Sequence, residues 1–319
     1  MKIGIVGAGA IGGFLAAHLG AAGGRVVVLA RGATLAAWHD GGVTLHHDGG
    51  RLHHQPDHVS DDPHALGPCD LVIVTVKGQD TAAILPAVRV MLAPGGRVVS
   101  FQNGLDGLER LCAVLGPEKV LAGVTYVPAS VTAPGQIRHT GPVRRFVFGP
   151  ACPAAASPVV AALADLGRRA GLEMEAETDP MPGIWAKFVM LSAFHLISGL
   201  TRLPLGGWIE VAQTRALYAA AMTETAQVAG ACGVTLPPDL VQRNLEFSRH
   251  RADPRTRASM LDDLERGRPL ELDSTIGWLI DKARDHGVPV PIHEIAHALL
   301  RPHLHGPPQV VPGARPQQA

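Results

Sequence analysis

The chain begins Met1-Lys-Ile-Gly-Ile-Val-Gly7-Ala-Gly9-Ala-Ile-Gly12-Gly13, and a G-x-G-x-x-G set directly after a short apolar run leaves few folds open. Lys2–Val6 reads as a buried parallel strand. Gly7 then supplies a tight turn, Gly9 a close backbone approach to a pyrophosphate, and Gly12 close contact between helix and strand. A helix beginning near Ala10 aims its free N–H groups and the positive end of its dipole at a diphosphate. A second strand, Arg25–Leu29, is followed by Ala30 and by Arg31, nineteen residues after Gly12. Many dinucleotide-binding chains carry an acid there, which bonds the ribose 2′-OH; a guanidinium instead attracts a 2′-phosphate and forks onto its oxygens. The expected ligand is therefore NADPH/NADP, held by Gly7, Ala8, Gly9, Ala10, Ile11, Gly12 and Arg31. The plainer reading of Arg31 is a solvated loop cation. With 37 glycines in the chain the motif alone is weak, but strand, turn, helix, strand and arginine follow in the order it requires.

At 319 residues the chain exceeds the usual single core, and 46% hydrophobic residues suffice to fill two. Basic and acidic residues number 28 each, which argues against a general nucleic-acid or anionic-membrane binder. Cys69, Cys112, Cys152 and Cys232 lack metal-ligand spacing, and no cleavable signal is expected ahead of the first strand. A reducing, cytoplasmic setting is expected. No apolar run is expected to reach the length of a membrane span.

Residues 70–77 and 97–101 read as further buried strands, the first ending in Lys77 and the second running into Gln102-Asn103-Gly104. Ligands of open α/β sheets bind beyond the strand C-termini, so Lys77 and Asn103 are site candidates by position. A snorkelling lysine and an asparagine in a left-handed turn are the alternatives. Residues 120–127 and 145–149 also read as strands, whereas the Gly- and His-rich 41–56 segment is expected to be a small excursion at the sheet margin rather than a core element. Residues 158–170 read as helix, 172–177 as a last strand, and 183–302 as helical almost throughout. The expected α/β organisation is a Rossmann dinucleotide-binding domain over 1–180, an all-helical domain over 181–305 and a mobile tail over 306–319.

The helical half carries Ile184-Trp185-Ala-Lys187, followed by a mostly apolar run to His195. Lys187, Leu191, His195 and Ser198 share one helical stripe. A lysine among apolar neighbours has its charged form disfavoured and can donate a proton near neutral pH; a lysine snorkelling from an amphipathic helix is the alternative. Further on, Ser259-Met-Leu-Asp-Asp-Leu-Glu-Arg-Gly-Arg-Pro-Leu-Glu271 joins one helix end to the start of the next. Taken alone, Ser259 is an N-cap and Glu271 an ordinary helix-end acid.

Together with the glycine turn, Arg31, Lys77, Asn103-Gly104 and the W-x-K at 185–187, this S-M-L-x-D…G-x-x-x-E pattern resembles the ketopantoate reductases, over nearly everything up to about residue 302. The resemblance implies a Rossmann domain followed by a helical domain, NADPH as hydride donor, and reduction of a 2-oxo acid to a 2-hydroxy acid in a cleft between them. It implies that Lys187 is the general acid, limiting the charge that develops on the carbonyl oxygen. It further places Glu271 on the substrate hydroxyl or the cofactor side, Ser259 on the substrate carboxylate, Asn103 and Ala129 at the nicotinamide end, and Lys77 on the cofactor. Homodimerisation through the helical half is implied by resemblance alone.

Ketopantoate reductases commonly place asparagines one and two turns after that lysine, where this chain has Leu191 and His195, and a further family asparagine aligns with Leu205. A buried polar substrate group left without its partner costs roughly 1–3 kcal/mol. The expected substrate is therefore ketopantoate or a bulkier, less polar 2-oxo acid. His195 is expected to contact substrate or to orient Lys187, against the alternative of a core histidine bonded to a backbone carbonyl. His293-Glu-Ile-Ala-His297 spells H-E-x-x-H, yet a metalloprotease site needs a third ligand and leaves the glycine turn unexplained. Neither it nor the histidines at 46, 47, 53, 54, 58 and 64 is read as a metal site. A nucleotide-binding sensor that kept the fold and lost turnover is the second functional reading.

Overall fold

The computed structural model describes residues 1–308. The chain divides into two compact units, one ending at Lys187 and the other beginning at Phe188; the sequence alone puts the division near residue 180. From residue 309 onward the expected tail lies outside the described residues.

The first unit contains strands β1 (Lys2–Val6), β2 (Arg25–Leu29), β3 (Val43–His47), β4 (Gly50–His54), β5 (His58–Ser60), β6 (Cys69–Val74), β7 (Leu92–Ser100), β8 (Val120–Thr125), β9 (Ala129–Ala133), β10 (Gln136–His139), β11 (Arg145–Pro150) and β12 (Glu173–Ala176). Its helices are α1 (Ala10–Ala21), α2 (Gly32–Gly41), α3 (Pro63–Leu66), α4 (Thr81–Met91), α5 (Asp106–Leu115) and α6 (Pro158–Arg169). Eight strands form one sheet in the order β12-β11-β8-β7-β6-β1-β2-β5, and four form a second in the order β4-β3-β10-β9. In the large sheet β1 pairs in parallel with β2 and β6, Ile3 facing Val26 on one side and Leu71 on the other. Ile3, Ile5, Val26, Val28, Leu71 and Ile73 are all fully buried. That is why these strands read as near-continuous apolar runs. Within this sheet β8 and β11 form the antiparallel pair.

Helix α1 is covered on two sides, which explains its small residues. A Cβ on Gly13 would lie 2.6 Å from Ile137 of β10, and one on Gly20 would overlap the His54 ring of β4. The small sheet therefore packs directly onto this helix. Val43, Leu45 and Ile137 are fully buried and belong to the same core as Phe14, Leu15 and Leu19. The 41–56 segment is thus a core element, contrary to the sequence expectation. Its partner β10 lies some ninety residues on, and β3–β10 pairing is parallel. Local pattern carries no trace of that contact. The remaining core aromatics stack edge-to-face, Phe101 against Phe146 at 5.1 Å and Phe148 at 6.2 Å.

Helix α7 (Met181–Thr201) carries the chain from the first unit into the second. It is 21 residues long with a window of mean hydropathy 1.4, enough by length and composition to cross a membrane. The expectation that no apolar run reaches that length is corrected here; 61% of the window is buried inside the protein. The second unit continues with α8 (Leu205–Trp208), α9 (Ala212–Ala231), α10 (Leu240–His250), α11 (Ser259–Glu265), α12 (Trp278–Asp285) and α13 (Pro291–Leu300). The buried Glu224 carboxylate of α9 accepts the N–H groups of Ile292 and His293 at 2.9 and 3.2 Å and His293 Nδ1–H at 2.6 Å. It thereby caps the α13 N-terminus that Pro291 opens.

His18 of α1 is 6% exposed, and its ring Nδ1–H donates to the Ala170 carbonyl at 3.0 Å. Burial lowers its pKa from 6.5 to about 4; the bond to Ala170 opposes the shift, while Arg144, His139 and His47 add to it. Between these values the unfolded chain binds the extra proton and the folded chain does not. This contribution is therefore complete above pH 6.5 and falls as pH drops toward 4, by about 3 kcal/mol at most. In denaturant titrations His18→Gln, which keeps a donor for Ala170, is expected to lose less stability across that window than the parent. Equal losses would exclude His18 as the source.

Candidate active site

The glycine turn lies at the C-terminal end of β1. Gly7 has φ +114°, and a Cβ there would lie 2.6 Å from Val76 N and 2.8 Å from Thr75 C. A Cβ on Gly12 would overlap the Gly7 carbonyl oxygen. Gly9 differs from both: φ is −86°, and nothing lies within 4 Å of a Cβ built on it. Gly9 also caps α1, whose first turn has no side-chain cap and no acid. The N–H groups at this end are thus left for an anionic ligand. Thr75, which sequence reasoning missed, sits just past β6 and donates its hydroxyl to the Gly7 carbonyl at 2.8 Å.

Arg31 follows β2 in extended backbone, φ −137° and ψ 158°, caps α2, and is exposed. Lys77 is half-buried and extended, just beyond β6. Asn103 follows β7; the left-handed residue of that turn is Gly104, φ +79°. Gln102 ties these loops together. It is 8% exposed; its Nε2 donates to Val76 O at 3.0 Å and to Thr81 Oγ1 at 2.8 Å, and its Oε1 accepts from Ser100 Oγ at 3.0 Å. Its signal in the sequence was its place beside Asn103 at a strand end. Ala129 opens β9 in the smaller sheet, opposite His139.

Sequence-derived candidates meet one another in each unit. Lys187 Nζ donates to Asn103 Oδ1 at 3.0 Å. The ammonium also lies 5.9 Å from the centroid of the Tyr126 ring, a residue with no place among the sequence candidates. In the second unit, His195 is 1% exposed and its Nε2 lies 3.3 Å from Ser259 Oγ. Ser259 is the exposed first residue of α11, whose cap position is Ala258. The N-cap alternative for Ser259 is thereby replaced by a side-chain contact with His195. Glu271 is 8% exposed and immediately precedes the turn that enters the π-helical stretch Asp273–Gly277. Its carbonyl accepts Thr275 Oγ1 at 2.5 Å and Ser274 Oγ at 3.4 Å. Wide turns of this kind recur at functional sites.

The H-E-x-x-H histidines turn to separate acids, His293 to Glu224 and His297 Nε2 to Asp273 at 2.9 Å. Among the described residues no group of three or more His, Cys, Asp or Glu side chains is arranged to hold a metal ion.

The sequence profile described as "Ketopantoate reductase PanE/ApbA" matches residues 3–152, and that described as "Ketopantoate reductase PanE/ApbA C terminal" matches 179–303. The chain belongs to the ketopantoate reductase family. A 2-dehydropantoate 2-reductase of Mesorhizobium japonicum is 33% identical, the match covering 94% of this chain and 97% of the relative. One from Mycobacterium tuberculosis is 30% identical over 96% and 98%. The crystal structure of a PanE/ApbA family ketopantoate reductase from Ralstonia eutropha superposes with a TM-score of 0.86 at 30% identity, covering 95% of this chain and 98% of the other. Membership makes the protein an oxidoreductase acting between C=O and CH–OH, with NADPH as cofactor.

The open space over Gly9 and the blocked space over Gly12 separate two substitutions. Gly12→Ala is expected to destabilise the protein by about 1–3 kcal/mol through overpacking. Gly9→Ala should change stability by under about 1 kcal/mol while weakening NADPH binding at least tenfold, because its methyl occupies the phosphate approach. Thermal melts and NADPH fluorescence titrations check both; unweakened binding by Gly9→Ala would move the pyrophosphate elsewhere.

Proposed function

We propose that the protein reduces ketopantoate or a bulkier, less polar 2-oxo acid, with Lys187 as proton donor. The Lys187–Asn103 hydrogen bond carries this reading, since it holds an ammonium beside the loop at the C-terminal edge of β7, where α/β sheets bind their ligands. The glycine turn and the uncapped end of α1 fit the diphosphate of NADP, and exposed Arg31 fits its 2′-phosphate. Lys77 adds a second cation beyond the adjacent strand. When bound, NADPH supplies a hydride to the carbonyl carbon. Lys187 then gives its proton to the carbonyl oxygen, so that negative charge does not accumulate there. Ser259, paired with His195, takes the substrate carboxylate, and Glu271 accepts from the substrate hydroxyl or the cofactor side. Asn103 and Ala129 line the nicotinamide end.

Absorbance at the NADPH band, followed with ketopantoate and with branched and aromatic 2-oxo acids, tests the reading. Consumption with at least one of them is expected, and Lys187→Ala should lower kcat by about 10²–10⁴. Consumption with none would leave a protein that only binds nucleotide. Arg31→Ala should weaken NADPH binding about 10–100-fold, the worth of charge-assisted phosphate bonds, and leave NADH binding unchanged. An equal effect on both cofactors would remove Arg31 from the 2′-phosphate.

A further inference from the structure

The Lys187 ammonium meets Tyr126 as well as Asn103, and the Tyr126 ring is itself fixed from several directions. Tyr126 directly follows β8, and its N–H donates to the Arg145 carbonyl at 2.9 Å on the neighbouring strand β11. The Arg145 guanidinium lies 5.4 Å from the ring centroid. That guanidinium is anchored in turn by a two-pronged bond to Glu175 on β12, at 2.9 and 2.8 Å. Burial holds the Tyr126 hydroxyl above its usual range. The ring therefore stays neutral and presents a π face to Lys187, not a phenolate oxygen.

We propose that Tyr126 is a positioning residue for the reduction: its ring face, held by Arg145 and Glu175, and the Asn103 carbonyl oxygen together confine the Lys187 ammonium to the direction from which it protonates the substrate. A lysine side chain carries four rotatable bonds, and its ammonium is a compact charge with no fixed fork of its own. Asn103 fixes one N–H direction. The ring bounds the ammonium on another side through attraction between cation and quadrupole, which falls off within about 6 Å. An ammonium aligned before substrate arrives reacts faster than one that must be found among rotamers, because misplacement near 1 Å already slows a reaction strongly. The proposal rests on Lys187 being the proton donor.

The test compares Tyr126→Leu, Tyr126→Phe and Arg145→Gln with the parent and with Lys187→Ala, using NADPH and ketopantoate. Tyr126→Leu is expected to lower kcat about tenfold with KM for both substrates unchanged. Tyr126→Phe, which keeps the ring, should restore turnover to near the parent value, and Arg145→Gln should lower kcat by a smaller factor in the same sense. A second measurement needs no turnover: the chain has five lysines, and trace acetylation of the unliganded protein reads their relative reactivities. Lys187 should become more reactive relative to Lys2 and Lys119 in Tyr126→Leu and remain at the parent value in Tyr126→Phe. Unchanged Lys187 labelling in Tyr126→Leu, or a loss of kcat as large in the Phe variant as in the Leu variant, would overturn the proposal. Full turnover by Lys187→Ala would instead remove the proton donor itself, whatever the labelling shows.

Discussion

The first unit depends on the absence of one atom. A side chain on Gly12 would have to occupy the space of the Gly7 carbonyl oxygen, so the turn from β1 into α1 closes as it does because residue 12 has no Cβ. That closure places the α1 N-terminus at the sheet edge with its N–H groups uncapped. It also brings the Gly7 carbonyl to the Thr75 hydroxyl, which binds the turn to the end of β6. Three strand ends are then in register: β1 with the glycine turn, β6 with Thr75 and Lys77, and β7 with Gln102 and Asn103. Gln102 joins the last two by bonds to Val76 and Thr81. Asn103, the partner of Lys187, is thus built on the same set of strand ends as the glycine turn.

Much of this was legible in the sequence because it is local. The strands of β1, β2 and β6 are buried on both faces and announce themselves as apolar runs, and the glycine spacing has a steric meaning that requires no distant contact. Lys187 stood out for a related reason, as one charge inside an otherwise apolar helical stretch. The smaller sheet was illegible because β3 meets β10 across a long gap in the chain, and a five-residue alternation of apolar and polar residues does not say which distant strand completes it. Of its apolar residues only Val43, Leu45 and Ile137 are fully buried, while Val131 is 42% exposed. The length of α7 is visible in its composition, although Lys187 interrupts the apolar run.

Tyr126 and Gln102 mark a different limit. Both are polar residues at the C-terminal ends of strands, and position alone made Asn103 and Lys77 candidates on the same grounds. Only contacts distinguish them. Gln102 faces the interior and bonds to backbone and hydroxyl groups of the neighbouring loops. The Tyr126 ring has two cations near its centroid, one from β11 and one from α7. Sequence patterns name the residues that touch a ligand more readily than those that aim them, since aiming is done through tertiary neighbours.

The positions 191, 195 and 205, singled out in the sequence, are not equivalent in the structure. Leu205 is 3% exposed, and its backbone N–H is bonded to Thr256 O, so its side chain belongs to the core. Leu191 is half-buried and offers no hydrogen bond. His195 is polar, fully buried and joined to Ser259. A neutral imidazole has one donor and one acceptor, where an asparagine amide has two donors and a carbonyl. His195 has its Nε2 turned toward the serine hydroxyl, at 3.3 Å. In the proposed reaction the serine of this pair is the partner of the substrate carboxylate, and Leu191, one turn after Lys187 on the same helical stripe, adds an apolar side chain without a hydrogen-bonding group.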